Sequence, residues 1–175
     1  KQRLQAWSYL KHNDVFCVVR APVCGPYGPM SHLNWSLHPD TMAKEERKVR
    51  PLARFCGQVA GLQLEKRRHF IQEQPHPSRL YEVPPWPQIL KVSNEFSHVV
   101  QQTYHRCACG LRVTQGKFRE LYIKKPSTMT ASHPILVSHF VGCQCRHRPD
   151  QHLSGDGHPK ELSRAQVWTW GEALR

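Results

Sequence analysis

Residues 15–28 read VFCVVRAPVCGPYG, and their reading decides what kind of sheet the chain builds. Val15–Val19 is five consecutive apolar residues, partly β-branched, which predicts a buried strand. It runs into a stiff turn where Cys24 precedes Gly25 and is bracketed by Pro22 and Pro26. Ligands gather at the carboxyl ends of strands in open α/β sheets. A thiol presented there is either a nucleophile or a small apolar group packed beneath a loop.

Upstream, Leu4, Trp7 and Leu10 suit one face of a short helix ending near Asn13-Asp14. Downstream, residues 25–40 are rich in Gly, Pro, Ser, His and Asn and read as loop. Asp40 can cap a helix whose first turns carry Glu45 and Glu46. Val49, Leu52, Ala53, Cys56, Val59 and Ala60 then recur at helical spacing, with Gln63 as a polar exception. Pro51 predicts a kink there, or two helices. His69–Gln72 predicts a second strand, ending at Glu73-Gln74-Pro75. A small helix follows around Gln88–Val92. Ser97–Gln101 and Arg119–Lys124 read as further strands, and Ser163 can cap a last helix over Arg164–Ala173.

This alternation predicts an α/β fold: a mostly parallel, Rossmann-like sheet with flanking helices and an irregular Cys- and His-containing C-terminal part. The expected division is residues 1–142 as the α/β unit, with 143–175 packed on the same domain. Cys24 and Glu73 then both fall just past the carboxyl end of a strand.

The whole chain narrows the function classes. It has 175 residues, enough for one domain with a proper core, 14 Pro and a hydrophobic content of 39%, so long irregular connections are expected. No apolar stretch reaches the length of a membrane span, and the basic start KQRLQAWSYLKHND has no apolar signal region. The first residue is not Met, so the sequence reads as an excerpt. A formal net charge of +12 favours a polyanionic partner, most simply nucleic acid. Basic clusters lie at Lys44–Arg50 and at Lys66, Arg67 and Arg68, the latter being candidate nucleic-acid-binding residues. Seven Cys without an export signal predict reduced thiols in the nucleus or cytoplasm.

A thiolate and a carboxylic acid on neighbouring strand ends suit one reaction in particular. Sulfur adds to C6 of cytosine while the acid supports N3, the base having been flipped out of its duplex. The motifs APVCGPYG (21–28), HFIQEQP (69–75) and YIKKPSTMTAS (122–132) resemble, in order, those of DNA cytosine-5 methyltransferase-like domains. In that family a Pro-Pro-Cys motif follows the fourth strand and Glu-Asn the fifth. The chain is more closely similar to the methyltransferase-like module of protist retrotransposon polyproteins. Members carry Ser-Pro-Pro-Cys, Phe-Leu-x-Glu-x-Pro, a Trp, Gln-Cys-x-x-Gly-Leu, Lys-Pro-Thr and Cys-x-Gly-x-His-x-His. Trp86, Cys107–Leu111, Lys125-Pro126-Ser127 with Thr130, and Cys143 with His147 fall in matching order here.

The resemblance implies Cys24 and Glu73 as catalytic residues and S-adenosylmethionine as methyl donor. Three positions depart from the pattern: Val23 for the second proline, Gln74 for Asn, and Ser127 for Thr. No strand is followed by a Gly-rich turn for the donor. Gly57 and Gly61 lie within a predicted helix, and Gly155 and Gly157 in a late loop. The expectation is therefore a degenerate domain that does not transfer methyl groups alone. It would need an upstream donor-binding half from a larger polyprotein.

Cys107, Cys109, Cys143 and Cys145 form two Cys-x-Cys pairs, with His147 and His152 behind the second. Thiolate and imidazole suit tetrahedral zinc, although these thiols can equally pack as core. Following the family pattern, the ligands would be Cys107, Cys143, His147 and His152. A basic nucleic-acid-binding module, zinc-stabilised and without catalysis, is the alternative to an enzyme remnant, and a purely structural segment is a third.

Overall fold

The computed structural model describes residues 2–29 and 31–153. The expected helix over 164–173, the Gly155/Gly157 loop and most of the 143–175 segment lie outside the described residues. Helix α1 (Gln2–His12) leads into strand β1 (Cys17–Arg20). A single 3-10 turn at Gly25–Tyr27 and helix α2 (Ser31–Leu37) occupy much of the expected loop. Helix α3 (Pro39–Glu65) follows, then β2 (His69–Pro75) and α4 (Trp86–Ile89). Strands β3 (Val100–His105) and β4 (Pro126–Ala131) complete the sheet.

The sheet order is β1-β2-β4-β3. β1 pairs with β2 in parallel, as the opening run predicts, but β4 is antiparallel to both β2 and β3. The expected mostly parallel sheet is therefore a mixed one. The expectation failed at β4, because PSTMTA lacks the apolar run that marks a buried strand. Thr130 Oγ1 donates to the Tyr81 hydroxyl across 2.7 Å, while the buried Ser127 hydroxyl has no hydrogen-bond partner among the described residues. The Arg119–Lys124 segment is no strand; isolated bridges join Tyr122 to Arg112 and His152, and Ile123 packs with Leu111, Val113 and Leu153 in a separate small cluster.

Helix α3 is continuous for 27 residues, so Pro51 does not divide it into two helices. Pro51 is exposed, so the amide bond it removes falls on the solvent side. Asp40 is not the cap; His38 precedes the helix, with Pro39 and Asp40 in its first turn. The polar exception Gln63 is fully buried. Its amide donates to the carbonyls of Val15 and His69 (3.0 and 2.8 Å), joining the entries of β1 and β2.

Side chains alternate across the strands and so build two cores. On the α3 side, Phe70 packs with Ala53, Cys56, Ala60, Leu80, Trp86 and Ile89. The Trp86 indole donates to the Ala53 carbonyl at 3.1 Å. On the other side, Met129, Ala131 and Tyr104 pack with Val137, Phe140 and Cys143. Among the described residues no helix is long and apolar enough to cross a membrane.

Candidate functional site

Two places carry chemistry: the shared carboxyl end of β1 and β2, and a Cys/His cluster beyond β3.

Arg20, the last residue of β1, pairs with Gln72, so Glu73 and Gln74 project past the point where β1 ends. The chain leaving β1 is tied to them. Gln74 Nε2 donates to the Pro22 carbonyl at 2.7 Å and to the Glu73 carbonyl at 2.9 Å, while Ser78 Oγ donates to Gln74 Oε1 at 3.2 Å. Gln74, the position that departs from Glu-Asn, thus holds the Cys24 loop against β2. Cys24 is half-buried and leads into the 3-10 turn at Gly25, whose φ of +31° favours glycine. Glu73 is buried with Oε1 lacking any hydrogen-bond partner. It lies on the face of the sheet opposite Gln72, in register with Met129. A buried carboxylate oxygen without a donor carries a desolvation cost that a hydrogen-bonding ligand would relieve.

On the α3 face at the same end, the Arg20 guanidinium lies 5.2 Å from the Phe70 ring and 5.5 Å from that of Trp86. Its Nη1 donates to the Cys56 carbonyl, but Nε and Nη2 are buried and unpaired. Burial pushes its pKa down to about 10. The thiols of Cys17 and Cys56 are pushed up, again by burial.

The second place gathers Cys107, Cys145, His147 and His152, whose ligand atoms all lie within 4.8 Å of one another. Cys107 comes from the 3-10 turn after β3, and His152 follows the turn at Pro149–Gln151. The Cys145 sulfur is 3.3 Å from His152 Nε2 and 3.6 Å from His147 Nδ1. Tetrahedral bond lengths to zinc imply a sulfur–nitrogen edge of about 3.6 Å, so these separations fit. His152 Nδ1 donates to the Arg148 carbonyl at 3.1 Å, which leaves Nε2 as the lone-pair nitrogen facing the sulfur. His147 stacks on Tyr122, with ring centroids 3.6 Å apart. Burial, with the Cys145 thiol beside it, pushes the Cys107 thiol up to about 12, so with no cation present Cys107 stays protonated. The group could hold a metal ion.

The expected ligand Cys143 is not part of it. The 3-10 turn at Pro134–Phe140 draws Cys143 into the core beside Tyr104 and Phe140, where its thiol donates to the His139 carbonyl at 3.3 Å. Cys145 takes its place. Reading the two Cys-x-Cys pairs as equivalent could not separate them; the turn does. Cys109 is also core.

The expected nucleic-acid cluster is likewise occupied within the fold. Lys66 donates to the carbonyls of Leu10 and Lys11 at the end of α1, and Arg68 binds the Asn13 carbonyl and the Asp14 carboxylate. The Arg67 guanidinium covers the Phe96 ring at 4.0 Å. These three side chains hold α1 and its neighbours instead of standing free for phosphates.

Comparison with family models, curated proteins and solved structures yields no match.

Proposed function

We propose that this chain is a nucleic-acid-binding module built as a degenerate, Rossmann-like cytosine-methyltransferase-type half-domain, with its tail fastened by zinc. The observation that carries the reading is the end of the parallel β1–β2 pair. There the Cys24 loop is hydrogen-bonded to the strand bearing a buried, incompletely partnered Glu73. The Cys24 loop lies beyond β1 and Glu73 sits within β2, two residues before its end; the resemblance calls for a thiol and a carboxylate on such neighbouring parallel strands. A flat heterocycle with a ring nitrogen is the ligand such a pair would receive. The charge of +12 supports a polyanionic frame around that base.

Methyl transfer is not assigned to the chain alone, since no Gly-rich turn for S-adenosylmethionine follows any of the described strands. Cys24 and Glu73 would then recognise a base without modifying it, unless an upstream segment of a larger polyprotein supplies the donor. The zinc reading rests on the tetrahedral fit of Cys107, Cys145, His147 and His152. With four protein ligands the centre is closed, hence structural, and it would contribute folding energy directly.

The test is a titration of the whole chain with labelled cytosine-containing oligonucleotides, with and without S-adenosylmethionine. Expected are binding that weakens steeply with salt, no response to the donor and no methylated product. Binding that ignores salt, or its absence, would overturn the reading.

A further inference from the structure

The molecule has a second feature suited to a polynucleotide, away from the strand ends. We propose that the groove between α1, α3 and α4 seats a single-stranded polynucleotide whose bases stack on Trp7 and Phe55. This rests on the nucleic-acid reading above and gives it a surface.

The groove measures about 860 Å³, within the range of built ligand clefts. Gly57, Gly61, Pro85 and Ile89 line it where α3 and the α4 segment pack together. Trp7 and Phe55, each half-buried, stand with ring centroids 6.1 Å apart and planes tilted by 60°. The tilted pair is itself a favourable contact, and because each residue is only half-buried, part of each ring remains open to a third planar group.

Cations frame the aromatic pair. Arg3 and Lys11 line the groove, the Lys11 ammonium lying 5.5 Å from the Trp7 ring. Arg54 is exposed beside Phe55, and none of the three is ion-paired to a described carboxylate. Arg47 and Arg50, at helical spacing from Arg54, extend the positive track along α3, although Arg50 is engaged by Glu46. Glu65 is the one carboxylate lining the groove. Aromatic platforms inside a basic channel bind single strands with little sequence preference, because every base has a π-face and every nucleotide a phosphate.

The test measures fluorescence anisotropy of labelled oligothymidylate and oligouridylate, about 15 nucleotides long, with the full chain. Trp7→Ala/Phe55→Ala is expected to raise Kd at least about tenfold, stacking being worth that much per base. Trp7→Phe keeps a ring and should stay within about threefold of wild type on the same scale. Arg3→Gln/Lys11→Gln, at exposed positions, should weaken binding and reduce the salt slope by about 1.4. These last two variants decide the matter if the double alanine does not fold. Unchanged Kd and slope in the variants, while the wild type binds, would overturn the groove and leave the proposed function standing. Equal competition by polyglutamate would also overturn it, since a polyanion without bases cannot stack. Failure of the wild type to bind either strand while it binds a cytosine-containing one would likewise overturn the groove and leave the proposed function standing.

Discussion

The side-chain amide of Gln74 donates to the Pro22 carbonyl at 2.7 Å, fastening the Cys24 loop to the strand that carries Glu73. A residue that looks like a departure from the family pattern is thereby the one that fixes the loop.

Cys24 is half-buried, Cys56 is buried, and burial raises the thiols of Cys17 and Cys56. Thiolate is the reactive form, so Cys24 should be alkylated faster than either. Peptide mass spectrometry after brief iodoacetamide treatment checks this, and Gln74→Ala should speed Cys24 further by releasing its loop. Labelling of Cys24 no faster than that of Cys56 would count against an accessible thiol at the strand ends.

Two glycines of α3 make opposite predictions. A Cβ on Gly57 would come within 2.7 Å of Pro85 Cδ, whereas one on Gly61 would meet Ile89 Cδ1 at an ordinary 3.5 Å. Helix propensity alone favours alanine at both by about 1 kcal/mol. Gly61→Ala should therefore raise the urea midpoint, while Gly57→Ala should lower stability by about 1–3 kcal/mol through overpacking. Both variants moving the same way would mean that α4 does not press on α3 at Gly57.

The Arg20 guanidinium is held between Phe70 and Trp86 with two nitrogens unpaired and no carboxylate among its hydrogen-bond partners. Such a charge stabilises through its stem and rings rather than through an ion pair. Arg20→Met should remain within about 1 kcal/mol of wild type, or be more stable. Arg20→Ala should lose about 2–4 kcal/mol by leaving a cavity. Chemical denaturation of the two variants separates these outcomes.

The Cys/His centre distinguishes neighbouring cysteines. Cys145→Ala should abolish metal binding and lower Tm by several degrees. Cys143→Ala should retain one equivalent of zinc and lose about 1 kcal/mol of core packing. Elemental analysis of protein purified without added metal, followed by melting with and without a chelator, reads both. Less than about a tenth of an equivalent in the wild type would remove the centre, since a four-ligand site of this kind binds far below micromolar levels.

How much of this was written plainly in the sequence depends on what each segment buries. His69–Gln72 announces its strand because Phe70 faces a core, whereas Val15–Val19 gives the half-exposed edge strand β1, with Phe16 and Val19 open to solvent, in place of the buried strand its apolar run predicts. β4 was hidden because its buried residues include Ser127, Thr128 and Thr130, polar side chains that no apolar pattern marks. Pro51 misled because a proline breaks a helix only where the missing bond matters. Lys66 and Arg68 read as a phosphate-binding patch, yet they close the end of α1, a role fixed by contacts more than 50 positions away. Cys145 could not be told from Cys143 without the turn that ends at Phe140. The Trp7–Phe55 pair joins α1 to α3 and has no local signature at all.

The central claim is that this basic chain holds nucleic acid at the β1–β2 strand ends without modifying it. Its most direct test is the salt dependence of oligonucleotide affinity, compared between wild type and Glu73→Gln. The account predicts a log–log slope of several units in both proteins, a preference for cytosine-containing strands in the wild type alone, and no methylated product with the donor. A flat salt response, or the same base preference in both proteins, would contradict it.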